Sequence, residues 1–196
     1  MNKFIQFWGD LALKLWWCPW SKVRFSKKNW GDTPVREEDK ATTSEEVKAL
    51  LKKADKKFKY TEDGFDQLWD AMQPPAQLYD DFISDKIVED DCDGYHSLIY
   101  HCLHHSDVKC YLLVVVARNA GHCTLVCKLE GKWHVADWTT VHPGYDTFEE
   151  TVEAYNKWFI KPYDAKSDVF YNGLLRFDYK KGKFKFVSWK KGTKEN

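Results

Sequence analysis

Three residues of this 196-residue chain have types and an order suited to covalent chemistry at a carbonyl: Cys92, His122 and Asp137. A thiolate is a strong nucleophile, and a thiol becomes one where its charged form is favoured. An imidazole within reach can take the thiol proton and later return it to a leaving group. A carboxylate on the far side of the ring fixes its tautomer and orientation. Amide or ester chemistry through a thioester needs these parts and no cofactor.

Such parts work only if the chain brings them together. Asp91 is a good N-cap, and Cys92 to Leu103 reads as the helix that follows it. Cys92 then sits in the first turn, where unpaired backbone N–H groups and the positive end of the helix dipole favour a thiolate. Residues 110–117 (CYLLVVVA) read as a buried central strand, and 122–129 and 132–138 as a hairpin around Glu130-Gly131. If Glu130-Gly131 is a two-residue turn, Leu129 pairs with Lys132 and Thr124 lies opposite Asp137. His122 and Asp137 are then diagonal neighbours on one face, about 7–8 Å apart at the backbone and within side-chain reach. A three-residue loop would put them on opposite faces.

Asp91-Cys92-Asp93-Gly94-Tyr95 opening a helix, then Gly121-His122, then Trp133-His134-Val135-Ala136-Asp137-Trp138, resembles the transglutaminase-like superfamily, and most of all its bacterial cysteine-peptidase branch. The likeness spans roughly residues 60–160. It implies an α+β fold with a papain-like core: helices packed on an antiparallel sheet, the nucleophile at a helix N-terminus, and His and Asp on adjacent strands. It implies that Cys92 is the nucleophile, His122 the general base and acid, and Asp137 the orienting group. The expected activity is a thiol hydrolase, a cysteine peptidase or amidase, acting on a protein or peptide substrate without cofactor or metal.

Other readings stay open. Asp90, Asp91 and Asp93 surround the thiol with negative charge, which opposes the thiolate. Relatives often carry Gly where this chain has Asp90. A catalytically inactive binding module on the same fold is therefore one alternative. An acyl transferase that cross-links proteins is another, since the residues do not choose between water and an amine as the second nucleophile. The Cys92 N–H is one candidate oxyanion donor. Gln67, Trp69 and Gln73, upstream of the Cys, are candidates for a second, and Trp69, Trp138 and Gln73 are expected to contact substrate.

The remaining Cys and His residues read as structural. His101, Cys102, His104, His105 and Cys110 are close in sequence, but no paired structural-zinc spacing appears. On a helix 101, 104 and 105 share a face, and His104 and His105 suit its C-terminus. No metal is expected there. Cys123 and Cys127 lie about 13–14 Å apart on a strand, too far to share one ion, and read as core. His134 alternates away from Asp137. His142 sits in a following loop. His96, one turn after Cys92, either touches the cleft or packs beneath it. Trp133 reads as core or cleft.

Along the rest of the chain, Phe4, Trp8, Leu11 and Leu15 predict an amphipathic helix up to Pro19, its face buried in the domain, against a partner or in a membrane interface. Residues 1–41 read as an aromatic and basic arm ending in a polar linker, and 42–196 as the domain. Thr43-x-x-Glu46 and Thr147-x-x-Glu150 are capping boxes. The first predicts a helix carrying Val47, Leu50, Leu51, Ala54 and Phe58, the second one carrying Val152, Tyr155 and Phe159. Phe65 to Met72 and Ala76 to Val88 read as further helices, and roughly 169–189 as strands turning at Lys181-Gly182.

Aromatic content of 16% argues against a disordered chain, and no apolar run is long enough to span a membrane. The formal net charge is zero, yet seven Lys/Arg face two Asp in residues 1–36, and seven Lys face one Glu in 179–196. An acidic centre lies between two basic ends, which could contact an anionic surface. With six Cys and no convincing signal peptide, reduced thiols in the cytoplasm are expected.

Overall fold

In the computed structural model, residues 3–12, 32–61, 73–117, 120–161 and 169–187 are described. Among the described residues, the helix α1 (Lys3–Ala12) is followed, after a 3-10 turn at Glu37–Asp39, by α2 (Ser44–Asp55), β1 (Phe58–Tyr60), α3 (Pro75–Ile83), β2 (Val88–Asp90) and α4 (Cys92–His104). Then come β3 (Cys110–Ala117), β4 (Ala120–Leu129), β5 (Lys132–Asp137), β6 (Thr140–Val141), α5 (Phe148–Phe159), β7 (Val169–Asp178) and β8 (Lys183–Val187). The fold is α+β.

Six strands form one antiparallel sheet in the order β6-β5-β4-β3-β7-β8, with β3 in the interior. Side chains of β3 alternate between two cores. Leu112 and Val114 join one with α2, α3 and α4; Leu113, Val115 and Ala117 join the other with Phe148, Val152, Tyr155 and Phe159 of α5. Both faces are covered, which is why β3 reads as an unbroken apolar run. Burying each large aliphatic or aromatic side chain contributes roughly 1.5–3 kcal/mol. Residues 93–103 of α4 are all buried, so this helix is an interior element.

Both capping boxes form. Thr43 accepts from the Glu46 N–H and Thr147 from the Glu150 N–H, while each Glu side chain returns to its N-cap backbone. The β4–β5 turn is Glu130-Gly131, with φ of 51° and 84°. Only Gly adopts the second value without strain.

Three expectations need correction. Phe58 does not continue the helix: α2 ends at Asp55, and Phe58–Tyr60 pairs in parallel with Val88–Asp90. The helix expected over 76–88 stops at Ile83, where Ser84 caps it and Asp85 turns left-handed at φ 56°; Val88 is already strand. The stretch read as a polar linker is packed. Val35, Asp39 and Ala41 are buried, the Arg36 N–H donates to Tyr79 Oη (2.8 Å), and Tyr79 donates to Asp39 Oδ2 (2.9 Å). Lys53 pairs with the same Asp39 carboxylate.

The helix α1 lies against β7, where Tyr171 donates to Asp10 (3.2 Å). Its aromatic face is not buried in the domain: Phe4, Phe7 and Trp8 are exposed. Leu15 to Trp20, Asp63-Gly64 and the helix expected over 65–72 lie outside the described residues. Among the described residues no helix is long and apolar enough to cross a membrane.

Candidate active site

The site begins at the N-terminus of α4. Asp91 is the N-cap, its carboxylate accepting from the Asp93 N–H (2.9 Å). Asp90 accepts from the Asp91 N–H (2.9 Å). These carboxylate oxygens are thus engaged by local backbone donors. Gly94 makes the corner possible, because a Cβ there would lie 2.2 Å from Asp90 Oδ2.

Cys92, half-buried in the first turn, has its Sγ against β4. The N–H of the peptide joining His122 to Cys123 donates to it (3.3 Å). The topology explains why that donor is directed there. The Lys128 N–H donates to Lys109 on the β3 side, so even-numbered residues of β4 face β3 and odd-numbered ones face β5. The β4–β5 pairing ends at Leu125 and Ala136. The Cys123 N–H lies beyond it, and the sulfur takes the place of a strand partner. A hydrogen bond to sulfur favours the thiolate, as does the helix terminus.

The hairpin register is the one expected from a two-residue turn, with Leu129 opposite Lys132 and Leu125 opposite Ala136. His122 and Asp137 meet: His122 Nε2–H donates to Asp137 Oδ1 across 2.8 Å. His122 Nδ1 is then the nitrogen with a lone pair. The imidazole lies between Phe159 (centroids 5.9 Å, 10°) and Trp138 (6.2 Å, 27°), which restrict its rotation.

Asp137 is 4% exposed and has further partners. Tyr155 of α5 donates to Oδ2 (2.9 Å), and His96 Nε2 is 3.4 Å from Oδ1. Burial alone would raise this carboxyl; the hydrogen bond from His122 outweighs it and holds the group well below the usual carboxylate range. Burial, then the Asp137 charge, push the Tyr155 phenol well up, so it remains a donor.

His96 is fully buried and links the parts. Its Nδ1–H donates to the Cys92 carbonyl (2.6 Å), and its Nε2 accepts from the Trp138 N–H (3.2 Å). The Tyr95 hydroxyl lies 3.0 Å from the Trp138 carbonyl and 2.8 Å from that of Leu51, with one proton to share. Trp138 needs this support. Its φ is 48°, a left-handed conformation that costs a non-glycine residue about 1–2 kcal/mol. The turn it starts closes β5 onto β6, pairing Asp137 with Thr140.

The structure therefore brings Cys92, His122, Asp137 and Trp138 together. Tyr60 of β1 packs on Trp138 (5.7 Å) and is exposed, extending the aromatic wall. Gln73 precedes Pro74 at the start of α3, on none of the elements carrying the three catalytic candidates. Gln67 and Trp69 lie outside the described residues. Trp133 is core, stacked with Tyr111 and edge-on to Phe148. His142 packs on Tyr155 and Trp158, one residue removed from Asp137. Of the residues that complete the site, only His96 was considered from sequence. Tyr155 was visible as part of a helix face, and a buried Tyr needs a partner for its hydroxyl. Nothing local marked the Cys123 N–H.

None of the five described cysteines is bridged. Burial pushes the Cys102 and Cys110 thiols well up and the Cys127 thiol up to about 12. Compared with models of known protein families and with curated proteins, the chain gives no match.

Proposed function

We propose that this chain is a cysteine hydrolase of transglutaminase-like type, with a papain-like core, acting on amide bonds of a protein or peptide. The observation that carries the reading is the placement of the Cys92 sulfur at a helix N-terminus, on the N–H of the peptide following His122, whose ring is held by Asp137. Cys92 Sγ attacks the amide carbonyl carbon, and His122 Nδ1 takes the thiol proton. The C–N bond of the tetrahedral adduct breaks as His122 returns that proton to the leaving amine, giving a thioester. Water then attacks the thioester, His122 taking its proton; the C–S bond breaks as His122 returns that proton to sulfur, releasing the carboxylic acid and the free thiol. Asp137 holds the imidazole throughout and stabilises its charged form. Trp138, stacked on His122, and Tyr60, packed on Trp138, offer an aromatic surface that suits a peptide side chain.

The test is the pH dependence of Cys92 alkylation by iodoacetamide, read by mass spectrometry in wild type and His122→Ala. Reaction well below the ordinary thiol range of about 8.5, lost in the variant, supports a thiolate–imidazole site. Ordinary titration in both proteins overturns the ion-pair form of the reading. Hydrolysis of a peptide and isopeptide library by wild type, abolished in Cys92→Ala, separates a hydrolase from a binding module.

A further inference from the structure

We propose that Asp32, His101 and His105 form a binding site for a divalent transition ion, Zn²⁺ best fitting the donors, that clips the N-terminal arm to α4. His101 and His105 are one turn apart on that helix, with ring centroids 4.6 Å apart. Two histidines at this spacing on one helix face form a chelating pair. Asp32, far away in sequence, completes the set. One ligand atom from each of the three residues lies within 4.8 Å of the others.

The present contacts are those a metal would replace. His105 Nε2 is 2.7 Å from Asp32 Oδ1, and His101 Nε2 is 2.8 Å from the Thr33 carbonyl oxygen. Ligands of a tetrahedral Zn²⁺ with bonds of about 2.0–2.1 Å stand about 3.3 Å apart. These two contacts need to open by only about half an ångström to accept the ion, and the remaining ligand atoms, within 4.8 Å of one another, need to close by at most about 1.5 Å. Nitrogen and carboxylate donors suit Zn²⁺ more than Ca²⁺ or Mg²⁺. The Thr33 carbonyl is the nearest group to a fourth position.

A hydrogen-bond partner for the other nitrogen of the His101 ring is also in place. The Tyr179 hydroxyl is 2.8 Å from His101 Nδ1. It now donates to that nitrogen. With Nε2 on a metal the proton moves to Nδ1 and the direction of this bond reverses, so the ring stays oriented by a partner, as metal-bound histidines usually are. His101 is buried, so its ring is held in place on the helix face.

The site lies at the C-terminal end of α4, while Cys92 opens that helix. Thirteen residues span about 20 Å. The ion would therefore be structural. It would pin residues 32–33, within the arm, to the interior helix that Cys92 opens.

The test is Co²⁺ and Zn²⁺ binding to the full chain after alkylation of accessible thiols, followed by the visible absorption of Co²⁺, by calorimetry with Zn²⁺ and by thermal unfolding. One ion per chain is expected, with a tetrahedral Co²⁺ spectrum lacking sulfur charge-transfer bands and a higher Tm with Zn²⁺. His105→Ala and Asp32→Ala should each weaken binding tenfold or more and abolish the Tm rise. His122→Ala should bind as wild type does, which separates this site from the His96–His122–Asp137 cluster. Both test residues are partly exposed, and the Tm in EDTA checks that the variants fold. No ion uptake by wild type, unchanged affinity in either variant, or loss of binding in His122→Ala overturns the proposal.

Discussion

The Cys123 backbone N–H donates to Cys92 Sγ across 3.3 Å, in the gap where β5 leaves β4. The nucleophile candidate is thereby fixed against the strand that carries His122, and a single peptide unit links the two. A donor aimed at sulfur stabilises the thiolate more than the thiol. The same strand end is left without a β5 partner because the chain turns at the left-handed Trp138 and pairs Asp137 with Thr140 of β6.

Cys92 should be the thiol that reacts first among the five described. Burial raises the pKa of Cys102, Cys110 and Cys127 and also blocks reagent access. In native protein at pH 8, brief iodoacetamide treatment should modify Cys92, and the buried thiols should follow only in denaturant. Comparable labelling of a core cysteine would show that the packing around α4 is looser than described.

Tyr155→Phe keeps the ring and removes the donor to Asp137 Oδ2. Leaving that buried oxygen short of a partner should cost about 1–3 kcal/mol in urea unfolding. Cys92 alkylation should slow at neutral pH, because the carboxylate that orients His122 is less well held. A variant as stable and as reactive as wild type would remove Tyr155 from the site.

His96→Ala removes the ring nitrogen that accepts from the Trp138 N–H, at about 1–3 kcal/mol for a buried group that loses its acceptor. Trp138 then loses support for its left-handed backbone. Stability and Trp fluorescence should both change, and alkylation of Cys92 should lose its dependence on His122. His96→Asn, which keeps a short donor, should recover part of the stability.

Asp137→Asn should destabilise the protein at pH 7 by an amount on the order of 3 kcal/mol, as expected when a charge is removed from a buried pair. The Asp137 pKa is depressed in the folded state. Its contribution is therefore fully present above the unfolded value of about 3.9 and is lost as pH falls through the lower folded value. The gap between wild type and variant should narrow as pH falls below about 4. A gap that does not narrow there would mean that the carboxyl is not stabilised as an ion.

Much of the site is legible in the residues themselves because its geometry is local. A two-residue Glu130-Gly131 turn sets the register of β4 on β5, and a period of two then puts His122 and Asp137 on one face. Asp91 before Cys92 marks the helix start, since a capping carboxylate acts within three residues. The errors fall where pairing is non-local. Phe58 fits the helical period of α2, but its strand exists only because Val88, thirty residues on, lies beside it.

Helix starts, the central strand, the hairpin register and the order Cys92, His122, Asp137 were thus determined by the sequence alone, through hydrogen bonds and side-chain periods that close within a few residues. Only the tertiary structure decided that the Cys92 sulfur meets the Cys123 N–H, that His96 and Tyr155 converge on the Asp137 turn, and that Asp32 reaches His105. Those contacts join elements far apart in the chain. Their distances depend on how α4 and α5 pack on the two faces of one twisted sheet, which no local pattern of residues specifies.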